Sequence, residues 1–297
     1  MVKAYESILI VLDKPKHEQA AMEYASYLQA RTGARVGLAS FCWHPMVEQS
    51  AVLDSLHAQQ LKKGMLSERD SWLQDLRAQS GMDSKNVTAE TVWTNDIARW
   101  VAAAVMDDGH DLVVKSVHHS ESFLHTRLDW RLILECPAPL LMVSNRHNPQ
   151  RSGNVLASLD LRRQDVEHQA LNLKILDAAS YVAELVDGTM HCVYVMEFSE
   201  VLHGLDVIDV RSVHEKAEKK ASSLLDALIE PYGISKANVH IPDGKVERCV
   251  QRVVHEINAD LLVVGTSANK GLTGALLGNS AERILTNPPC NVLVIKP

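Results

Sequence analysis

The chain is written twice, and that constrains its fold more than any other feature. The strand-like run Ser7-Ile8-Leu9-Ile10-Val11-Leu12-Asp13 returns as Asn154-Val155-Leu156-Ala157-Ser158-Leu159-Asp160, with the terminal aspartates 160 − 13 = 147 positions apart. His110-Asp111-Leu112-Val113-Val114 returns as Ala259-Asp260-Leu261-Leu262-Val263, 260 − 111 = 149 apart, and Pro139-Leu140-Leu141-Met142-Val143 returns as Asn291-Val292-Leu293-Val294-Ile295, 291 − 139 = 152 apart. Three landmarks recurring in order with little drift imply tandem duplication of a module about 148 residues long.

Each copy alternates short apolar runs with longer helical patterns. Copy one predicts strands at 7–12, 35–42, 87–93, 111–116 and 139–144, with helices near 17–31, 50–80, 95–108 and 128–135. Copy two predicts strands at 154–159, 189–197, 237–242, 260–265 and 291–296, with helices near 164–186, 206–231, 244–257 and 279–286. Runs such as Leu261-Leu262-Val263-Val264 are apolar throughout, as in strands covered by helices on both faces of a parallel sheet. Val207, Val210, Val213, Ala217, Ala221, Leu224 and Leu228 recur at spacings of three and four, one apolar helical face. Gly33, Gly81, Gly188 and Gly233 stand where helices should end in a left-handed turn. The expectation is α/β: two tandem doubly wound, Rossmann-like domains, each a five-stranded parallel sheet with helices on both faces. The bounds are 1–147 and 152–297, joined by a polar, turn-rich stretch from Asn145 to Gly153.

With 46% apolar and 23% charged residues the chain has the composition of a soluble globular protein. Its 30 basic and 37 acidic side chains leave a charge of −7, split as 15 − 18 = −3 in residues 1–150 and 15 − 19 = −4 in the rest. Nucleic acid and anionic membrane are therefore not expected partners, because phosphate surfaces need a basic field. No signal-peptide pattern opens the sequence, and no run of 18 apolar residues would cross a bilayer. Cys42, Cys136, Cys192, Cys249 and Cys290 are scattered and odd in number, which suits the reducing cytoplasm.

An open parallel sheet binds ligands beyond the carboxyl ends of its strands, where strand order reverses. In copy two the segment there, residues 265–280, holds four of the 14 glycines: Gly265, Gly271, Gly274 and Gly278. Glycines after a strand and before a helix let backbone N–H groups approach phosphate oxygens, and the helix N-terminus favours an anion. Thr266, Ser267, Asn279 and Ser280 add donors, and Lys270 a charge. At these residues the chain resembles the universal stress protein family. Its nucleotide-binding members carry glycine, two residues, glycine, nine residues, then glycine followed by serine or threonine. Gly265 and Gly278 match; Ala268 replaces the second glycine, and Asn279 the hydroxyl residue. Asp160 matches the acidic residue that the family places near adenosine.

Copy one has no glycine from Ser116 to Trp130, and Asp129 falls where Gly278 lies. It is read as having lost nucleotide binding, a carboxylate there repelling phosphate. Asp13 and Asp160 are equally readable as satisfying backbone donors at strand ends. His118, His119 and His125, with Glu121 nearby, have metal-ligating chemistry. Adjacent residues of an extended chain point in opposite directions, however, so a solvated loop is favoured and no metal is expected. Trp72, Trp93, Trp100 and Trp130 read as core or interface anchors, and Cys42 and Cys192 as small buried apolar residues on corresponding strands. No catalytic motif is present.

The resemblance implies a cytoplasmic stress-response protein that senses or holds a small ligand. That ligand would be ATP or a related adenine nucleotide, held in copy two by Asp160, Gly265, Ala268, Gly271, Gly278, Asn279 and Ser280. It also implies an intramolecular pseudo-dimer of the two domains, and leaves a further homodimer open. Two alternatives stand beside it: slow ATP hydrolysis or self-phosphorylation at Ser280 or Thr266, and an interaction scaffold or binder of another small ligand.

Overall fold

The computed structural model describes residues 5–49, 54–117, 127–144, 152–197, 210–266, 269–271, 274–276 and 279–297. The chain divides into two compact units, Lys3–Arg146 and a second built on His147–Pro297.

The first unit runs β1 (Ser7–Leu12), α1 (Ala20–Thr32), β2 (Arg35–Cys42), α2 (Pro45–Gln49), α3 (Ser55–Gln79), β3 (Val87–Trp93), α4 (Ile97–Asp108), β4 (Leu112–Val117), α5 (Arg127–Glu135) and β5 (Leu140–Ser144). Its strands are all parallel, in the order β3-β2-β1-β4-β5. The second runs β6 (Asn154–Ser158), α6 (Val166–Leu185), β7 (Thr189–Val193), α7 (Val210–Ile229), β8 (Val239–His240), α8 (Val246–Glu256), β9 (Leu261–Gly265), β10 (Asn269–Gly271), β11 (Gly274–Leu276), α9 (Asn279–Thr286) and β12 (Asn291–Ile295). Five of its strands form a parallel sheet in the order β8-β7-β6-β9-β12. Numbered within each unit, both orders are 3-2-1-4-5. The doubly wound α/β architecture is thus built twice.

The repeat extends to side-chain detail. Asp111, just before β4, accepts from the N–H groups of Glu6 (2.9 Å) and Ser7 (3.1 Å) at the start of β1. Asp260, just before β9, accepts from Ser152 and Gly153 (2.7 Å each) at the start of β6. These carboxylates tie together the amino ends of neighbouring strands, the backbone donors there having no ladder partner. β1, β4, β5 and β12 are buried along their whole length.

Differences from the sequence reading have local causes. The helix expected over 50–80 is α3, capped by Asp54, whose carboxylate accepts from His57 N–H (2.9 Å), with the short α2 before it. The strand expected over 237–242 keeps only Val239 and His240. Pro242 has no N–H to give, so pairing with β7 stops and resumes as one bridge, Met196 to Asp243. The strand expected over 189–197 accordingly ends at Val193. Gly33, Gly81 and Gly233 adopt the left-handed conformation, but after α6 that role falls to Asp187 (φ 52°). Gly188 is needed for a different reason: a Cβ there would collide with the Gly153 carbonyl. Asn269–Gly271 and Gly274–Leu276 form a small antiparallel pair, β10 with β11, where only a loop was expected.

Candidate functional site

In each unit strand order reverses between the first and fourth strands, which puts a crevice beyond the carboxyl ends of β1 and β4 and another beyond β6 and β9. The two crevices are furnished differently.

In the second unit Asp160 follows β6. Asn172 on α6 grips its backbone from both sides, Oδ1 accepting from Asp160 N–H (3.1 Å) and Nδ2 donating to its carbonyl (2.8 Å). The carboxylate accepts the Arg162 guanidinium in a bidentate pair, Nε to Oδ1 and Nη2 to Oδ2 (2.9 Å each), together with the Arg162 backbone N–H (3.0 Å). Burial works against ionisation of Asp160, yet the hydrogen bonds and charge of Arg162 outweigh it and hold its pKa below the usual carboxylate value. Arg162 also donates from Nη1 to Glu197 (2.6 Å), and Arg283 on α9 reaches Glu197 (3.5 Å) and Glu247 (3.9 Å). A chain of alternating charges therefore leads from the end of β6 to α9.

Gly265 ends β9, and a Cβ on it would lie 2.8 Å from Leu171 Cγ and Cδ2 and 2.9 Å from Ile175 Cδ1. The absent side chain thus lets α6 pack against the strand, a role independent of any phosphate. Thr266 is buried, its N–H and hydroxyl both directed to the Ile295 carbonyl (3.0 and 3.4 Å), which corrects its reading as a donor or phosphoryl acceptor facing the loop. Gly271 ends β10, and Asn279 and Ser280 open α9, so the helix does begin directly after the glycine segment. Ser267, Ala268 and Gly278 lie outside the described residues, as do the side chains of Lys270, Asn279 and Ser280.

In the first unit the matching crevice contains a buried cation. With the offset of 149, Lys115 corresponds to Val264, Ser116 to Gly265 and Asp129 to Gly278. Lys115 Nζ sits 2.9 Å from Asp129 Oδ1 and 3.2 Å from Asp13 Oδ2, and donates to the Ser116 carbonyl (3.1 Å). The lysine side chain is 1% exposed, and those of Asp13 and Asp129 are 7% and 2% exposed. Asp129 was expected to exclude phosphate by bare repulsion. Instead it and Asp13 hold an internal ammonium, and the cluster itself occupies the crevice floor. Ser116 Oγ accepts from Ala21 N–H (2.9 Å) in the first turn of α1, which has no side-chain cap of its own. One position thus uses a hydroxyl to satisfy a helix in one unit and an absent side chain to admit a helix in the other.

Lys115 was missed as a site residue although its signal was in view: a lysine inside an apolar run can be buried only against carboxylates. Arg162 and Asn172 carried no comparable signal, being ordinary residues for a loop and a helix. His118, His119 and His125 lie outside the described residues. Among the described residues no group of three or more His, Cys, Asp or Glu is placed to hold a metal, and no helix is long and apolar enough to cross a membrane. All five cysteines are free and buried.

Two copies of one parallel α/β module, each with its crevice at the same strand reversal, define the class, and sequence comparison agrees. A profile of the universal stress protein family matches residues 4–144 and again 166–296, so the chain belongs to that family as two tandem domains. Among individual proteins it is similar to universal stress protein E of Escherichia coli K12, 27% identical over 299 residues, covering 99% of this chain and 94% of that one. The universal stress protein E homolog of Haemophilus influenzae is 25% identical over 99% of this chain and 98% of its own. A solved structure of a putative universal stress protein from Pseudomonas aeruginosa UCBPP-PA14 superposes with a TM-score of 0.74 at 25% identity, covering 99% and 94% of the two chains. One from Archaeoglobus fulgidus, at 16% identity and a TM-score of 0.67 over 97% and 98%, shares the fold.

Proposed function

We propose that this chain is a cytoplasmic stress-response protein that holds an adenine nucleotide, ATP or a relative of it, in its second unit. The observation that carries the reading is Asp160: ionised, backbone-clamped by Asn172, partly exposed, and placed beyond β6 in the unit where Val264 stands at the position of Lys115. A carboxylate so held accepts ribose hydroxyl or adenine N–H donors. Across the crevice, a glycine segment leading into the N-terminus of α9 is chemistry suited to phosphate oxygens. Gly265, Ala268, Gly271, Gly278, Asn279 and Ser280 would line that side. Family membership supports the stress role.

A second reading has its own observation. Both oxygens of Asp160 are already engaged by Arg162, so the crevice as it stands is closed at the adenosine end, as suits an interaction scaffold without a nucleotide. Calorimetric titration of the full chain with ATP, ADP and AMP separates the two. Saturable heat that Gly278→Asp abolishes supports the nucleotide reading; absence of heat with all three overturns it. Incubation with labelled ATP tests turnover, because retained nucleotide without released phosphate or covalent label leaves binding alone.

A further inference from the structure

Arg69 on α3 is used by nothing described so far. Its Nη1 is buried with no hydrogen-bond partner among the described residues. The guanidinium carbon lies 5.5 Å from the Trp72 ring centroid, which leaves in-plane donors for another group. Arg69 shares the charge environment of Cys42, which ends β2, and of Asp13, which follows β1. Lys62, seven residues or two turns earlier on the same helical face, also acts on Cys42 and stacks 4.9 Å from the Trp93 ring centroid at the end of β3. Two cations and two indoles therefore gather beyond the carboxyl ends of the first unit's strands, while the Lys115 charge is taken up by Asp13 and Asp129.

An unpaired guanidinium N–H removed from water is costly, and such a group persists where a ligand completes it. Burial outweighs the neighbouring Glu68 and Asp13 charges and holds the Arg69 pKa below its ordinary value, so those carboxylates offset the cost only in part. We infer that the first unit has its own ligand site, distinct from the nucleotide crevice proposed for the second, in which an anionic oxygen group, carboxylate or phosphoryl, accepts from Arg69 Nη1. Lys62 lies further out, 3.9 Å from Glu48, which also accepts from Trp93 Nε1 (2.8 Å). Arg69 is therefore the principal anion contact, and the Trp72 and Trp93 rings flank it. The ion cluster behind it, with two carboxylates to one ammonium, favours a compact anion over a polyphosphate.

All five tryptophans, Trp43, Trp72, Trp93, Trp100 and Trp130, belong to the first unit, so tryptophan emission, excited selectively over tyrosine, reports on that unit alone. The experiment titrates the full chain carrying Gly278→Asp with inorganic phosphate, and separately with acetate, at constant ionic strength. The expected result is a saturable fluorescence change in the millimolar range with at least one probe. The better probe identifies the anion class. Arg69→Gln is expected to weaken it at least tenfold, and Arg69→Lys by less, since charge is kept and the planar fork lost. Melting in anion-free buffer gives the second readout: removing a buried charge compensated only in part raises the midpoint of Arg69→Gln, whereas loss of a purely structural arginine lowers it. No saturable change with either probe, an unchanged response in Arg69→Gln, or a lowered midpoint in that variant overturns the inference. Because the second unit's loop is disabled throughout, failure here leaves the nucleotide reading untouched, and the converse holds.

Discussion

The two crevices began as the same crevice, and the difference between them is chiefly where a charge is kept. In the first unit a lysine lies under the strand ends and neutralises two aspartates internally. In the second, the matching strand position is Val264, the matching loop position is Gly278, and the remaining aspartate meets an arginine from its own loop at the partly exposed surface. A buried pair is fixed by the cost of separating charges in a medium of low dielectric; a half-exposed bidentate pair can open into water. Duplication thus left one module whose centre is structural and one whose centre can exchange partners.

The comparison breaks most readily at Lys115. Replacing it with Met leaves two carboxylates buried without their cation, and urea unfolding should show a loss of about 3–5 kcal/mol. Lys115→Met combined with Asp129→Asn should recover much of that, and recovery of none would mean the lysine acts by packing. Gly265→Ala comes next. The new methyl meets Leu171 and Ile175 at under 3 Å, so a loss of about 1–3 kcal/mol is expected in the same assay. Its counterpart Ser116→Ala should cost about 1 kcal/mol through the lost hydrogen bond to Ala21. Asp160→Asn should weaken nucleotide binding roughly tenfold by calorimetry, the scale of one charge-assisted hydrogen bond, while Asp13→Asn should leave it unchanged. Equal effects of the two would dissolve the asymmetry between the units.

The smallest expected effect is with pH. His191 and His240 face each other on β7 and β8, Nδ1 to Nε2 at 3.3 Å, and burial lowers both pKa values; His110 in the first unit is lowered for the same reason. A histidine with a depressed folded pKa binds its proton more readily when unfolded. Its penalty is absent well above the ordinary value of about 6.5 and grows as pH falls from there towards the folded pKa. With two such groups against one, the second unit should lose more hydrogen-exchange protection than the first between pH 7 and pH 5. Asp160, lowered in the folded state, contributes stability that is complete above about pH 4 and fades only below it.

The duplication and the doubly wound α/β class could be read from the amino acids, because continuous apolar runs bounded by Asp, Gly and Pro leave little alternative to buried parallel strands. Strand length was harder to read. Nothing in Val239-His240-Ile241-Pro242 shows from composition alone that pairing lapses after His240, since that depends on which side of the strand its neighbour occupies. The site was legible as a list of residue types and much less so as partnerships. Asp13 and Asp160 stand at equivalent ends, yet one turns inward to Lys115 and the other meets Arg162, choices made in three dimensions by residues far apart in the chain or two positions away. Gly265 illustrates the limit best: a glycine expected to serve a phosphate loop lies where helix packing leaves no room for a Cβ.

The lapse at Pro242 bears on how these molecules behave at high concentration. β8 ends the second sheet with two paired residues and a proline beyond, a poor template for an incoming strand. β3 ends the first with seven residues, and among the described residues no strand pairs with its outer side. Any edge-to-edge self-association on crowding or partial unfolding should therefore start at Val87–Trp93, where a proline or lysine on the solvent side would be the economical remedy.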